Sequence, residues 1–261
     1  MSGGIILSAP GTGNGKTTMT LGLLRALKRR NLTIVSAKVG PDYIDPAFHA
    51  AATGAPCINL DPWAMRHATL ATLVTRLESA GDLVLCEGMM GLFDGAGASG
   101  DRGSTADLAS LTGWPVVLVV DASAQAGSVA ALLRGFAAHR ADVPLAGVIF
   151  NRVAGAKHAA MLEAATRAAL PDLAILGAVP EQGDLAVPER HLGLVQAREH
   201  PALELFLDRA AEHVDAAVDI DRFADLARNE DLIEATRPLK LFQLGNRIAV
   251  AGDEAFTFAY P

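Results

Sequence analysis

The chain has 261 residues, of which 51% are hydrophobic and 20% are charged, and its formal net charge at pH 7 is −7. This length and apolar content predict one sizeable α/β domain, alone or with an appendage, while the negative charge argues against nucleic acid as the main partner, because binding to a phosphate backbone needs a basic face. Two cysteines are too few for a disulfide framework, which favours a reducing compartment. The longest apolar run, 116–120, is too short to cross a membrane. We therefore expect a cytoplasmic protein without a membrane partner.

Short apolar runs alternate with helical patterns along the first 180 residues. The runs are apolar throughout, as strands of a parallel sheet that is covered on both faces must be. The pattern predicts an α/β fold of the P-loop NTPase type, a mostly parallel sheet with helices on both faces. The predicted strands are 4–7, 33–39, 83–86, 115–120, 146–151 and 174–179, and the predicted helices are 17–29, 66–80, 104–112, 128–138 and 157–169.

A glycine-rich segment, 10–18, stands between the first predicted strand and the first predicted helix. That order is typical of a P-loop, in which glycines let backbone N–H groups surround a phosphate at the start of a helix. The helix dipole contributes only ~0.3–2 kcal/mol, so we expect Lys16 to neutralise phosphate oxygens and Thr17 to hold Mg²⁺. Pro10 replaces the first glycine of the consensus, and a plain glycine-rich turn is the alternative. The residues predicted to bind the nucleotide are Gly11, Thr12, Gly13, Asn14, Gly15, Lys16, Thr17 and Thr18.

A second group of polar side chains follows the predicted strand 33–39. Lys38, Asp42, Tyr43 and Asp45 lie in one short segment that two prolines stiffen. Carboxylates beside a lysine are suited to binding a metal and a substrate carboxylate together. The alternative is a rigid turn whose aspartates accept hydrogen bonds from their own backbone.

A third group follows the predicted strand 83–86. Glu87 ends this strand, and a P-loop enzyme needs such an acidic group near its Mg²⁺; a solvated strand-end glutamate is the alternative. The glycine-rich loop 88–95 cannot continue as a helix, and we expect it to bring Asp94 near the transferring phosphoryl group.

Three later residues are weaker candidates. Asn151, at the end of a strand, is placed to read an adenine edge, because its amide both donates and accepts hydrogen bonds; a turn asparagine is the alternative. Arg190 is suited to binding a phosphate or carboxylate, although an arginine beside His191 is more often structural.

Histidines and cysteines give no further candidate site. The seven histidines lack the spacing of metal ligands, and neither cysteine has the basic surroundings of a reactive thiolate.

The pattern changes past residue 187. Residues 199–218 and 221–236 are predicted helices, and 247–253 looks like the first strand of a new α/β unit. We therefore expect the chain to be the front part of a longer polypeptide, with a C-terminal strand added to the main sheet as the alternative.

Four segments, 11–18, 38–49, 87–95 and 189–194, resemble the cobyrinic acid and hydrogenobyrinic acid a,c-diamide synthases. Segment 59–65 is similar to the branch that acts on hydrogenobyrinic acid in cobalamin biosynthesis. The resemblance covers essentially the whole chain. It implies an ATP- and Mg²⁺-dependent amidoligase with a dethiobiotin-synthetase-like fold, which phosphorylates the a and c acetates of a corrinoid before ammonia displaces the phosphate.

The resemblance also implies a role for each candidate residue. Lys16, Lys38, Asp45 and Asp94 would be catalytic, and Asn151 would read adenine. Thr17 and Glu87 would hold the metal, with Asp42 as a further ligand and Asp45 as the alternative to it. The substrate would be bound by Tyr43, Asp42, Asp45, Arg190 and His191.

The same resemblance implies a domain division: a synthetase domain at 1–195, helices and a linker at 196–245, and the start of a class I glutaminase-like domain at 246–261. The glutaminase normally supplies the ammonia, so we expect this chain to use free ammonia and not to hydrolyse glutamine. We also expect a homodimer, and the basis for this is only analogy with similar folds.

Three other functions compete with this interpretation. A partitioning or regulatory ATPase of the deviant P-loop class usually has a lysine where this chain has Gly11. A dethiobiotin synthetase or small-molecule kinase would lack the resemblance at 38–45 and 190–191. In a plain nucleotide-binding interaction module, the strand-end carboxylates would have no use.

Overall fold

The computed structural model describes residues 3–97, 102–181, 196–228, 245–253, 256 and 258–260. One sheet has the strand order β3-β2-β4-β1-β5-β6-β7, and every pairing between neighbouring strands in it is parallel. The strands are β1 Gly3–Ser8, β2 Ile34–Val39, β3 Ile58–Leu60, β4 Leu83–Glu87, β5 Val116–Asp121, β6 Leu145–Val153 and β7 Ala174–Pro180. The predicted α/β fold with a parallel sheet is confirmed.

Helices connect the strands and cover both faces of the sheet. They are α1 Lys16–Arg29, α2 Asp45–Thr53, α3 His67–Glu78, α4 Thr105–Thr112, α5 Val129–His139, α6 Ala156–Ala169, α7 Leu203–Ala217 and α8 Ile220–Asp225, with a 3₁₀ helix at Ala197–Glu199. Within the described ranges, no helix is long and apolar enough to cross a membrane.

The core consists of two apolar layers, one on each face of the sheet. Ile5 and Leu7 of β1 point into the layer that α1, α2, α7 and α8 cover, whereas Ile6 points into the layer formed with α3 to α6. Successive strand residues alternate between faces, so a strand whose two faces are both covered must be apolar at every position. This explains the uninterrupted apolar runs of the sequence.

The predicted elements of the first 180 residues end within two residues of the observed ones, but α2 and β3 were not predicted. Pro46 suggested a rigid turn at the start of α2; proline is well tolerated in the first turn of a helix, where its missing N–H would have no partner. β3 has only three residues, too few to give a recognisable pattern.

The predictions for the C-terminal region hold only in part. Pro201 separates the 3₁₀ helix from α7, so the predicted helix 199–218 begins late. The second predicted helix ends at Asp225, because the chain then pairs with β1: Gly4 and Arg228 exchange backbone hydrogen bonds of 2.8 and 3.1 Å. Residues 229–236 lie outside the described residues.

The strand predicted at 247–253 is wrong for the described residues, since 245–253 carry no strand and are exposed. An extended segment needs a neighbouring strand to satisfy its backbone N–H and C=O groups as a sheet. The division of the chain into three domains stays a prediction.

The neighbouring strands β2, β4 and β1 place three loops side by side at their carboxyl ends. These are the P-loop after β1, the segment 40–44 after β2 and the loop 88–94 after β4. The three main groups of polar residues in the sequence therefore meet at one edge of the sheet, where open α/β folds bind ligands.

Candidate active site

The P-loop has the backbone shape of a phosphate cradle. Gly13 and Gly15 have φ angles of 81° and 83°, in the left-handed region that favours glycine. Gly15 is the N-cap of α1, and a side-chain Cβ at Gly13 would meet no atom within 4 Å. The space over the loop is open and a helix begins behind it. This arrangement suits an anion that accepts hydrogen bonds from the backbone N–H groups of the loop.

Side chains from the ends of β5 and β6 hold the P-loop in place. Asn14 Oδ1 accepts a hydrogen bond of 2.8 Å from the backbone N–H of Asp121, and Asn151 Nδ2 donates to Asn14 O at 2.9 Å. Arg152 donates to Gly13 O at 2.9 Å and forms an ion pair with Asp121. Asn151 Oδ1 also accepts from the Arg152 N–H at 3.0 Å, so the amide predicted to read adenine positions the loop. Its contact with adenine stays a prediction.

Lys38 is the centre of a buried charge cluster. Its Nζ lies 2.6 Å from Asp45 Oδ2, 3.2 Å from Glu87 Oε1 and 3.9 Å from Asp42 Oδ2, while the side chain is only 3% exposed. Burial alone would lower the pKa of Lys38, but Glu87 and then Asp45 outweigh it and raise that pKa. Lys38 is therefore a permanent ammonium group with its charge compensated from three sides.

Glu87 joins this cluster to the P-loop. The Thr17 hydroxyl donates to Glu87 Oε1 at 2.8 Å, and His49 Nε2 lies 2.7 Å from Oε2. Burial would raise the pKa of Glu87, but Lys38 and His49 outweigh burial and lower it, so the fully buried carboxylate is ionised.

The hydroxyl and carboxylate oxygens of Thr17 and Glu87 are the hard ligands that Mg²⁺ prefers. The residues that the structure describes contain no group of three His, Cys, Asp or Glu side chains that could hold a metal. Magnesium in nucleotide sites usually takes one or two protein oxygens and fills its shell with phosphates and water. The donor set at Thr17 and Glu87 therefore fits this ion.

The two aspartates of the segment after β2 are used differently. Asp42 Oδ1 accepts the backbone N–H groups of Ile44 at 2.8 Å and of Asp45 at 3.1 Å, so the turn-capping alternative describes this oxygen. Asp45 begins α2, and burial followed by the nearby Glu87 raises its pKa to about 6. Tyr43 between them is 37% exposed. The segment thus combines a rigid turn with a charged wall beside Lys38.

The loop after β4 packs directly on the P-loop. Leu92 N donates to Ala9 O at 2.8 Å, and Lys16 Nζ lies 3.4 Å from Met90 O. Burial, opposed by Glu87, lowers the pKa of Lys16.

Asp94 closes the turn of this loop, because its Oδ2 accepts a hydrogen bond of 3.0 Å from the Gly91 N–H. Asp94 therefore shapes the loop, and its contact with the phosphoryl group stays a prediction.

His49 and Cys57 are site residues that the sequence interpretation missed. His49 is fully buried between Glu87 Oε2 and Cys57, whose Sγ is 3.4 Å from His49 Nδ1. Burial would lower the pKa of His49, but Cys57 and Glu87 outweigh it and raise it. The sequence analysis considered the histidines only for ligand periodicity, and it did not predict the contacts of His49 with Glu87 and Cys57. The available signal was its place four residues after Asp45, one helical turn along α2.

Asn59 is the third missed residue. Its side chain is 4% exposed, and Nδ2 donates to Gly40 O at 2.9 Å and to Asp42 O at 2.7 Å. Both amide hydrogens therefore hold the loop that carries Asp42, Tyr43 and Asp45. A polar residue inside a short apolar run was the signal in the sequence.

Arg190 and His191 lie outside the described residues. The other candidate residues, residues 11–18, Lys38, Asp42, Tyr43, Asp45, Glu87 and Asp94, follow or end the neighbouring strands β1, β2 and β4 and lie at one edge of the sheet, whereas Asn151 lies near the end of β6. The roles predicted for Asp94 and Asn151 stay predictions.

Comparisons with known proteins bear on the same part of the chain. Residues 5–195 match the family described as the CobQ/CobB/MinD/ParA nucleotide binding domain. The hydrogenobyrinate a,c-diamide synthase of Brucella suis biovar 1 is 52% identical over 261 residues, covering 98% of this chain and 58% of that protein. The protein of the same name from Rhodobacter capsulatus is 49% identical over 261 residues, covering 99% and 59%. The chain spans less than two thirds of the length of these two synthases.

Among solved structures, chloroplast FtsY from Physcomitrella patens is similar to this chain with a TM-score of 0.49 and 17% identity. The similarity covers 80% of this chain and 65% of that one.

Proposed function

Because the chain belongs to the CobQ/CobB/MinD/ParA nucleotide-binding domain family, we propose that its P-loop site activates a carboxylate with ATP. The substrate we assign is hydrogenobyrinic acid, or its cobalt-containing counterpart cobyrinic acid. The a and c acetates would be amidated in turn through an acyl phosphate, as a step of cobalamin biosynthesis. The names of the curated relatives support the substrate, and the charge cluster supports the chemistry.

The observation that carries this proposal is the direct contact between the P-loop and the buried cluster. Thr17 touches Glu87 at 2.8 Å, and Glu87 in turn lies 3.2 Å from Lys38. Phosphoryl transfer to a carboxylate needs positioning and neutralisation of charge more than it needs a covalent nucleophile. A buried ammonium group beside a nucleotide loop supplies both.

The proposed residues divide the work between two reacting groups. Lys16 and the P-loop N–H groups bind the phosphates, while Lys38 faces the side on which the acid binds. A carboxylate oxygen of the acid attacks the γ-phosphorus, and ADP leaves with the electrons of the broken P–O bond. Ammonia then attacks the acyl carbon, phosphate leaves, and the nitrogen loses a proton to give the amide. The ammonia is free ammonium or the product of a glutaminase domain.

Mg²⁺ would be held by Thr17 and Glu87, with Asp42 as a further proposed ligand. When bound, the ion neutralises charge on the nucleotide phosphates. On the substrate side we propose Tyr43, Asp45, Arg190 and His191, and at the nucleotide Asp94 and Asn151.

The test is an amidation assay with the purified chain. Hydrogenobyrinic acid, ATP, Mg²⁺ and an ammonium salt are incubated, and mass spectrometry follows the mono- and diamide while ADP is measured in parallel. We expect ADP release to require the acid and to match amide formation. ATP turnover that is equal without the acid would favour a switch ATPase instead, and cyclisation of the dethiobiotin precursor would favour a dethiobiotin synthetase.

Lys16→Ala is expected to abolish product formation in a folded protein. Lys28→Ala is the matched control, because Lys28 lies on the same helix with its side chain exposed. Retained turnover in the Lys16 variant would remove the P-loop from the mechanism.

A further inference from the structure

The two carboxylate oxygens of Glu87 have different neighbours. Oε1 accepts a hydrogen bond of 2.8 Å from the Thr17 hydroxyl and lies 3.2 Å from Lys38 Nζ. Oε2 lies 2.7 Å from Nε2 of His49, and the side chains of Glu87 and His49 are both fully buried. One oxygen therefore belongs to the nucleotide side of the site, and the other is held from behind by an imidazole ring.

The ring of His49 has a contact at each of its two nitrogens. Nδ1 lies 3.4 Å from Sγ of Cys57, a side chain that is 2% exposed. An ionised carboxylate can only accept hydrogen bonds, so Nε2 of His49 carries the hydrogen of the contact with Glu87. Because a rotation of the ring would break the contacts with both neighbours, the ring has one orientation.

The helix that carries His49 is also fixed in place. Asp45 and His49 are four residues apart in α2 and therefore lie on the same face of that helix. The Asp45 carboxylate is 2.6 Å from Lys38 Nζ, so α2 contacts β2 through Asp45 and β4 through the bond from His49 to Glu87. A displacement of α2 would break both buried contacts.

A cysteine, a histidine and a carboxylate in this order can also form a nucleophilic site. A nucleophile must meet its substrate, but Cys57 is 2% exposed and His49 is fully buried. Glu87 Oε1, in contrast, adjoins two residues of the proposed reaction, Thr17 and Lys38. The arrangement is therefore suited to orienting a carboxylate and not to attacking a substrate.

We propose that His49 is a positioning residue, which holds Glu87 so that Oε1 is directed at the Mg²⁺ bound with the nucleotide. This inference rests on the Mg²⁺ site of the proposed function. The terminal torsion of a glutamate side chain is broad, so a contact at Oε2 is needed to fix the plane of the carboxylate. Groups that orient a metal ligand in this way typically cost about 10- to 100-fold in metal affinity or activity when they are removed.

The experiment compares two substitutions of similar length and shape. His49→Gln keeps an N–H donor at about the position of Nε2, whereas His49→Met has no donor and is better suited to buried, apolar surroundings. One measurement is the Mg²⁺ concentration that gives half-maximal binding of a fluorescent, non-hydrolysable ATP analogue. The other is the kcat and KM of amide formation. His67→Met is the matched control, because His67 is an exposed histidine at the start of α3.

We expect His49→Met to raise the half-maximal Mg²⁺ concentration and to lower kcat, each by about tenfold or more. The KM for the acid should stay within about twofold of the wild-type value, because His49 does not touch the substrate. His49→Gln should stay within about threefold of wild type in both measurements, and His67→Met should be unchanged. A merely structural role gives the opposite order, with Met tolerated better than Gln.

Equal losses in the two His49 variants, or a wild-type Mg²⁺ requirement in His49→Met, would overturn the assignment. If circular dichroism shows that His49→Met does not fold, Cys57→Ala takes its place, since it removes only the neighbour of Nδ1. Because a thiol forms a weak hydrogen bond, we expect that variant to need about threefold more Mg²⁺, and an unchanged requirement would overturn the assignment.

The two measurements also separate this inference from the proposed function. A wild-type chain that forms no amide would refute the proposed function, while Mg²⁺-dependent binding of the ATP analogue would still decide the role of His49. In that case a stronger Mg²⁺ requirement in His49→Met than in His49→Gln would support the positioning role, and equal requirements would refute it.

Discussion

The Thr17 hydroxyl donates a 2.8 Å hydrogen bond to the carboxylate of Glu87, although 70 residues separate them in the sequence. The contact follows from the sheet, in which β1 and β4 are parallel neighbours with Leu7 opposite Glu87. The first strand leads into the P-loop and the other ends in the carboxylate, so the strand pairing alone delivers an acidic group to the nucleotide site. We therefore expect the negative charge of Glu87 to matter more for activity than the shape of its side chain.

Glu87→Gln tests that expectation. The amide keeps the size of the side chain but removes the charge beside Lys38, so we expect amide formation to fall by at least ~100-fold. Loss of one partner from a buried ion pair should also lower the free energy of unfolding, by on the order of 3 kcal/mol. Activity is measured by mass spectrometry and stability by urea unfolding. Glu212→Gln, at a side chain that is 69% exposed, is the control, and activity within twofold of wild type in the Glu87 variant would refute the role.

Asn59→Asp tests whether the loop after β2 is positioned from β3. The substitution places a carboxylate oxygen opposite the carbonyl groups of Gly40 and Asp42, which now accept both amide hydrogens. An unmade buried hydrogen bond costs ~1–3 kcal/mol, and the loop should shift to avoid it. We expect the KM for the acid substrate to rise about tenfold while the KM for ATP changes little. Asn31→Asp is the control, at an exposed turn. An equal rise in both constants would indicate general unfolding instead of loop displacement.

Gly15→Ala is expected to damage nucleotide binding for two reasons. Gly15 has a φ of 83°, and a Cβ there would lie 2.2 Å from Asn151 Nδ2. Left-handed backbone costs a non-glycine residue ~1–2 kcal/mol, and the clash displaces the amide that holds the P-loop. Isothermal titration with ATP and Mg²⁺ should show weaker binding by at least about tenfold. Gly127→Ala, where a Cβ meets nothing within 4 Å, should bind normally. Normal binding by the Gly15 variant would show that the loop does not need this conformation.

Asp208→Asn tests the ionic contact between α1 and α7. Asp208 Oδ1 lies 2.8 Å from both Arg25 Nε and Arg29 Nη2. Burial would raise the pKa of Asp208, but Arg25 and Arg29 outweigh it and lower it. The carboxylate therefore contributes stability above the unfolded-state pKa and loses it as the pH falls through the folded-state pKa. Half-exposed pairs contribute little, so we expect the variant to be ~0.5–1 kcal/mol less stable at pH 7.

That stability difference should shrink as the pH is lowered below the ordinary carboxyl range, and it should disappear once Asp208 is protonated. Urea unfolding of wild type and variant at a series of pH values measures it. Asp172→Asn, in an exposed loop, is the control. A difference that stays constant with pH would mean that packing, not charge, separates the two proteins.

Signals that depend on neighbours in sequence were sufficient for much of the fold. Uninterrupted apolar runs predicted six of the strands, and the glycines before Lys16 predicted the P-loop. Local signals failed where a tertiary contact decided the outcome. β3 is a strand because it pairs with β2, and the chain leaves α8 at Asp225 because Arg228 pairs with Gly4.

The sequence by itself therefore determined the strand and helix pattern, the phosphate-binding loop and the set of charged residues at the strand ends, because torsional preference and hydrophobic period are properties of adjacent residues. Only the tertiary structure decided which of those charges meet. Lys38 lies against Asp45 and Glu87, His49 against Glu87 and Cys57, and Asn59 against the loop of Asp42. These contacts depend on the order β3-β2-β4-β1, which no single segment specifies, since it is set by packing helices on both faces of one sheet.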